Sequence, residues 1–298
     1  MSVNFHNEKF EAYFSSVYKE RWPALYKALL NKETQVLRKN KFANFAAEEK
    51  FTKFHSHPFF KNCFDVNPEI QVHGLEDEKG LQVFYKMDPA SFVVASALDV
   101  QPGDLVLDLC AAPGGKTLIL AEALAGSGQL LSNEYSNSRR ERLIRVVREY
   151  ISHDDRQNIF VQGKDGNYYG QHQTETFDRV LADVPCSGER HLLENAKEFA
   201  EWTKRRSENL AIRQYSLLSS AYLACKNGGH IVYSTCSISP LENDDVIKKL
   251  KKKRSIELID LPWISELDFI EKTGFGYQIL PDRSGFGPMF FSVVKKTS

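Results

Sequence analysis

Two cysteines stand where a chain could use them for chemistry. The stretch "VLADVPCSGER" (Val180 to Arg190) leaves an apolar run through Asp183, Pro185 and Cys186, and "IVYSTCSISPLEND" (Ile231 to Asp244) leaves another through Cys236. A third run ends in "DLCAAPGGKT", which carries Asp108 and Cys110, then Gly114, Gly115, Lys116 and Thr117. A thiolate is a strong nucleophile, and glycines opening a helix bring backbone and free N–H groups close to a ligand. Ser239-Pro240-Leu241-Glu242 reads as a capping box with proline at the first helical position. Cys236 is therefore expected just before a helix N-terminus, whose partial charge favours the thiolate. Free cysteine is otherwise a small buried hydrophobe, the expectation for Cys63 and Cys225. Cys110 is left open between that and the site.

Glu134 ends the next apolar run, about twenty residues after the glycine turn, the spacing at which an acid reaches the ribose hydroxyls of a nucleoside cofactor. In "GKDG", Asp165 either accepts from an adenine amine or makes an ordinary Asp-Gly turn with Gly166. A P-loop is ruled out because its first glycine would fall at Cys110. A nucleoside-cofactor pocket, one acid and two cysteines suit a reaction at C5 of cytosine, a poor nucleophile. Thiolate attack on C6, with a carboxyl group at N3, turns C5 into an enamine carbon that accepts a methyl group. Loss of the C5 proton and expulsion of the thiolate complete the exchange, with a second group assisting release.

These residues require elements to hold them. Short apolar runs at Leu105–Leu109, Gln129–Asn133, Asn158–Gln162, Phe177–Ala182 and His230–Tyr233 predict strands, separated by helical stretches at Lys116–Leu124, Ser138–Tyr150 and Ala196–Cys225. The fold class is α/β, a mostly parallel sheet covered on both faces. "PMFFSVVKK" alternates and is expected to close the sheet antiparallel. "GLQVFYKMDPASFVVASAL" reads as a strand and then a helix capped by Asp88 with Pro89 at its first position. The first sixty residues carry helical spacing (Phe10, Tyr13, Phe14, Val17, then Trp22, Leu25, Tyr26, Leu29), and Arg38 to Lys53 also reads as helix-like. This region is expected either to cover one side of the main domain or to form an RNA-facing lid.

The chain has 298 residues, 42% of them hydrophobic, with 39 basic and 39 acidic side chains. Balanced charge gives no whole-molecule attraction to nucleic acid, so polyanion contacts must come from local patches. Arg139 to Arg148, Lys204 to Arg213 and Lys248 to Arg254 are the candidates, each also readable as a solvated helix face. No apolar run is long enough to span a membrane and the N-terminus lacks a signal pattern. The 5 cysteines, an odd number without a C-x-x-C pair, predict reduced thiols and an intracellular protein. That expectation covers a bacterial cytosol or the mitochondrial matrix.

"DLCAAPGGKT", "DVPCSG" and "YSTCS…LEN" together resemble the Nop/Sun family of S-adenosylmethionine-dependent RNA cytosine-5 methyltransferases, from about Met87 to the end. "FGPMFF" and "ERWPAL" look most like the mitochondrial ribosomal-RNA branch and its bacterial relatives. The resemblance implies a Rossmann-like class I methyltransferase domain over residues 87–298 behind an N-terminal helical region, 1–86, and S-adenosyl-L-methionine as cofactor. It implies a cofactor site formed by the loop of Cys110, Ala111, Ala112, Pro113, Gly114, Gly115, Lys116 and Thr117, by Glu134 and Arg139, and by Asp165 and Gly166. Asp183 is then shared between cofactor and target base, Cys236 is the nucleophile, and Cys186 assists release. In the DNA enzymes the Pro-Cys cysteine attacks instead. The implied partner is RNA, ribosomal RNA first and transfer RNA as the rival, in single-stranded or loop form because the base must leave its stack. A protein or ribosomal-subunit partner is expected to supplement few phosphate contacts, around a monomer. A ribosome-assembly factor that binds cofactor and RNA without catalysis is the alternative from another class.

Overall fold

The computed structural model describes residues 7–44, 55–66 and 74–297. Two helices lead, α1 (Glu8–Tyr18) and α2 (Trp22–Leu30); Asn7 caps the first by accepting the Phe10 N–H. Short strands β1 (Val36–Lys39), β2 (Cys63–Asp65) and β3 (Phe84–Met87) form a small antiparallel sheet, β2-β1-β3. Helix α3 (Pro89–Ser96) follows, capped by the Asp88 side chain on the Ala90 N–H with Pro89 at its first position.

Strands and helices then alternate. They are β4 (Leu105–Asp108), α4 (Gly115–Leu124), β5 (Gln129–Asn133), α5 (Asn137–Tyr150), β6 (Ile159–Gln162), α6 (Asn167–His172) and β7 (Phe177–Asp183). Three helices, α7 (Glu189–Glu194), α8 (Ala196–Ala200) and α9 (Lys204–Ala224), lead into β8 (Cys225–Thr235). After α10 (Asp244–Lys253) come β9 (Ile256–Leu258), β10 (Ile270–Lys272), β11 (Tyr277–Ile279), the single turn α11 (Pro281–Ser284) and β12 (Met289–Lys296).

The large sheet runs β10-β11-β12-β8-β7-β4-β5-β6, with β9 paired to β12. The contacts among β8, β7, β4, β5 and β6 are all parallel, and those of β9 to β12 are antiparallel. One apolar core lies on each face of the sheet. Leu107, Val180, Ile231 and Phe290 join one, and Val106, Leu181, Val232 and Phe291 the other. Successive strand residues thus point to opposite buried faces, which makes the runs continuously apolar.

Several expectations are corrected. Arg38 does not start a helix: it lies in β1 opposite Cys63 and Tyr85, and its guanidinium is buried against Glu122 of α4 at 2.6 Å. The rest of the Arg38–Lys53 stretch lies partly outside the described residues. The helix expected over Ala196–Cys225 breaks at Glu201–Thr203, where Trp202 turns into a core. Strand β12 does not alternate in exposure, because neighbours flank it on both sides and it is buried almost throughout.

Phe10, Phe14, Trp22, Leu25 and Leu29 of α1 and α2 share one apolar cluster with Leu192, Phe199, Trp202 and Ile238 from the other end of the chain. Arg21 completes this junction by binding Asp282 and Glu271 at 2.6 and 2.7 Å. The aromatic residues of the N-terminal helices therefore pack as core against the segment that follows β7.

Candidate active site

Strand β4 pairs with β5 on one side and β7 on the other, so the loops leaving these strands diverge and open a crevice at the carboxyl edge of the sheet. The expected residues gather there. A cavity of about 220 Å³ is lined by Cys110, Glu134, Arg139, Asp165 and Gly166, with Tyr135 and Arg213 beside them. A wider cleft of about 680 Å³ is lined by Pro113, Lys116, Arg139, Asp183, Cys186 and Cys236. A third hollow, bounded by Ala111, Ala112, Gly115, Lys116 and Asp183, adjoins both.

The glycine turn has a packing reason. Gly114 has φ +120°, and a Cβ there would lie 2.9 Å from Val146 of α5; one on Gly115 would lie 2.7 Å from the Tyr85 ring. These glycines make room for the chain's own side chains, not only for a ligand. Thr117 is fully buried and donates to Asp108 at 2.7 Å, so it lines none of the three cavities. Lys116 reaches into the cleft, with its ammonium 2.8 Å from Asp183 Oδ2 and 3.2 Å from Ser91 Oγ. Ser234 donates to the other Asp183 oxygen at 2.6 Å. The acid is thereby held in one orientation at the boundary between the cavities.

Glu134 accepts the Ser136 N–H through Oε1. Its Oε2 is buried without a hydrogen-bond partner, although Arg139 Nη1 lies 3.2 Å away. Arg139 also donates to Ala112 O at 2.9 Å, which ties α5 to the glycine loop. Asp165 uses Oδ1 on the Asn167 N–H, as a turn residue does, and still lines the cavity. A buried acid with a free oxygen, a second acid and Tyr135 around one cavity fit a nucleoside, whose ribose hydroxyls and amine are donors.

The two cysteine loops meet. The structure joins Cys186 and Cys236 as a disulfide, with Cα atoms 6.2 Å apart, while Cys63, Cys110 and Cys225 are free. This departs from five reduced thiols, because neighbouring parallel strands deliver both sulfurs to one spot. Burial, followed by the charges of Asp108, Asp183 and Glu134, raises the Cys110 thiol far above its ordinary value. Cys110 is thus poorly suited to attack.

The capping box is overturned. Helix α10 begins at Asp244, well past Cys236, and Pro240 heads a turn that accepts from the Asn243 and Asp245 N–H groups. Ser239 Oγ bonds the Tyr13 hydroxyl at 3.1 Å. Glu242 reaches away, to the Ser187 N–H at 2.9 Å and Gln214 Nε2 at 2.8 Å. The helix dipole is therefore not what acts on Cys236.

Of the basic stretches, Arg139, Arg206 and Arg213 line the cavities. Lys249 and Lys253 lie over the Tyr215 ring, and Arg254 over Tyr222. Sequence reasoning did not single out His191, Ser91 or Glu33, which line the cleft, nor the buried Glu189. An acid directly after "PCSG" was the only available signal for the last.

Asp108 sits fully buried behind the glycine loop with one oxygen unpartnered, and burial, then Asp183, pushes its carboxyl up to about 7. The penalty for ionising it in the folded state is absent below about pH 4 and grows as pH rises towards 7. Asp108→Asn is therefore expected to raise the denaturation midpoint relative to wild type more at pH 8 than at pH 4. An equal difference at both pH values would contradict this assignment.

Doubly wound topology, a switch-point pocket lined by acids, and an antiparallel closing strand define a class I methyltransferase. A family model described as "16S rRNA methyltransferase RsmB/F" matches residues 95–295, and the chain belongs to this family of S-adenosylmethionine-dependent enzymes. It is 39% identical over 233 residues to the 5-cytosine rRNA methyltransferase NSUN4 of Bos taurus, covering 71% of this chain and 59% of that protein. It is 35% identical to the mitochondrial tRNA (cytosine(34)-C(5))-methyltransferase of Mus musculus, covering 72% and 64%. The chain thus spans less than two thirds of either relative's length. A methyltransferase homologue from Pyrococcus horikoshii superposes with a TM-score of 0.78 at 23% identity, covering 98% of this chain and 95% of that one, which speaks for the fold. Among the described residues no helix is long and apolar enough to cross a membrane.

Proposed function

We propose that the protein methylates C5 of a cytosine in RNA, ribosomal RNA foremost, through a covalent bond between Cys236 and C6 of the base. S-adenosylmethionine supplies the electrophilic methyl group. The observation that carries this reading is the meeting of Asp183, Cys186 and Cys236 in one cleft beside the acid-lined cavity. Glu134 would hold the ribose hydroxyls through its free oxygen, Asp165 would take the adenine amine, and Tyr135 would offer an aromatic face to the adenine. Gly166 and the loop from Cys110 to Lys116 shape the rest of that cavity, and Thr117 acts from behind through Asp108. Asp183, fixed by Lys116 and Ser234, stands at N3, where a proton drawn from solvent is held between the carboxylate and the ring as the thiolate adds to C6. Negative charge arriving in the ring is thereby neutralised, and C5 becomes nucleophilic. Cys186, already touching Cys236, assists removal of the C5 proton and the thiolate's departure.

The names of the bovine relative and of the family favour ribosomal RNA, and that of the murine relative keeps transfer RNA as the rival. The test is transfer of a labelled methyl group to purified RNA fractions, followed by nucleoside analysis. Label in 5-methylcytosine of small-subunit ribosomal RNA is expected. Label confined to transfer RNA would change the substrate, and no 5-methylcytosine in either would remove the reading.

A further inference from the structure

Each cysteine is followed by a buried serine, Ser187 and Ser237, whose hydroxyl oxygens lie 3.0 Å apart. Behind them stand two fully buried carboxyl groups, Glu189 and Glu242, neither of which lines the substrate cleft. Their connections cross. Glu189, on the Cys186 side, accepts the Ile238 N–H at 2.9 Å and the Ser237 hydroxyl at 3.1 Å from the Cys236 loop, and binds its own Ser187 hydroxyl. Glu242, on the Cys236 side, accepts the Ser187 N–H at 2.9 Å. Gln214 of α9 donates to Glu242 at 2.8 Å and to Pro185 O, just before Cys186, at 3.0 Å. Tyr233 and Asn243 brace the second loop, through bonds to Glu242 O and Ser237 O.

Each loop thus sends a carboxyl group into the backbone of the other. Burying two acids is expensive, and one Glu242 oxygen has no partner at all. Burial, followed by the charge of Glu242, raises the Glu189 carboxyl above its ordinary value. Two apolar side chains would close the same space at lower cost. They would leave the Ser187 and Ile238 N–H groups unpaired and the two loops free to slide.

The geometry points to Glu189 and Glu242 as positioning residues that hold the Cys186 and Cys236 loops in register, so that the two sulfurs act on one base. The inference rests on the proposed cytosine chemistry. Attack needs Cys236 alone, whereas release needs both sulfurs in place. Loss of register should therefore slow release more than attack.

The experiment compares wild type, Cys186→Ala, Glu189→Ala, Glu242→Ala and Glu189→Gln. Each is incubated with S-adenosylmethionine and substrate RNA, then resolved on a denaturing gel, with cofactor binding and thermal unfolding measured on the same preparations. Glu189→Ala and Glu242→Ala are expected to turn over at least ten-fold more slowly and to accumulate covalent protein–RNA adduct, with cofactor affinity within about two-fold of wild type. Glu189→Gln keeps the shape and an acceptor for the Ile238 N–H, and should restore turnover to within about three-fold. Two results overturn the inference: equal activity loss in Glu189→Gln and Glu189→Ala, or slow turnover of the alanine variants without adduct. Should a variant fail to bind cofactor, the Glu189→Gln comparison decides alone. If Cys186→Ala itself forms no adduct, the chemistry has failed and not merely the positioning.

Discussion

With S-adenosylmethionine and substrate RNA, Cys186→Ala is expected to run on a denaturing gel as a covalent protein–RNA adduct, and Cys236→Ala to form none. Cys236→Ala removes the nucleophile, so methyl transfer should fall by roughly ten-thousand-fold or more, the scale on which a lost nucleophile acts. Cys186→Ala leaves attack intact and removes the group assisting release, so protein should accumulate bound to methylated base. Their placement on adjacent parallel strand ends makes either sulfur sterically able to attack. The adduct pattern therefore decides the roles: an adduct in Cys236→Ala with none in Cys186→Ala would invert them.

The parts of this site that could be read from sequence are those set by strand ends. An apolar run, an acid and a small or sulfur-bearing residue in a row place Asp108, Asp183, Cys186 and Cys236 without knowledge of what packs around them. The sheet follows for the same reason, since β4, β5, β7 and the Ile231–Tyr233 part of β8 contribute to the cores on both faces, while the edge strand β6 is only partly buried. What the sequence hid depends on distant partners. "SPLE" has the composition of a capping box, yet Tyr13 takes Ser239 and the Cys186 loop takes Glu242. The glycine turn is a ligand loop by composition, while Tyr85 and Val146 fix its two glycines by packing. Arg38 reads as a polar helix residue because nothing local announces Glu122 of α4, which draws it into β1. Tertiary partners overrode local pattern in each case.

Trp202 connects these themes and yields the largest stability effect expected. It sits between α8 and α9, almost wholly buried, with its ring centre 5.0 Å from Phe10 of α1 and 5.7 Å from Phe14. Asn7 donates to Trp202 O at 3.2 Å and to Phe199 O at 2.7 Å, so the backbone at this break also holds the start of α1. Trp202→Ala should cost about 3–5 kcal/mol, the usual penalty for emptying a large aromatic from a core. The indole nitrogen itself is buried without a partner. Trp202→Phe therefore removes an unsatisfied donor along with some volume, and should cost well under half as much. Denaturant unfolding followed by circular dichroism and by tryptophan fluorescence measures both variants. If α1 and α2 formed a unit of their own, Trp202→Ala would leave the main transition in place and create a separate early one. A shared cluster predicts instead that the single transition moves as a whole, because the same side chains bury the N-terminal helices and seat the segment leading out of the Cys186 loop. That segment begins with Glu189, so Trp202→Ala should also slow methyl transfer without touching the cavity proposed for the cofactor.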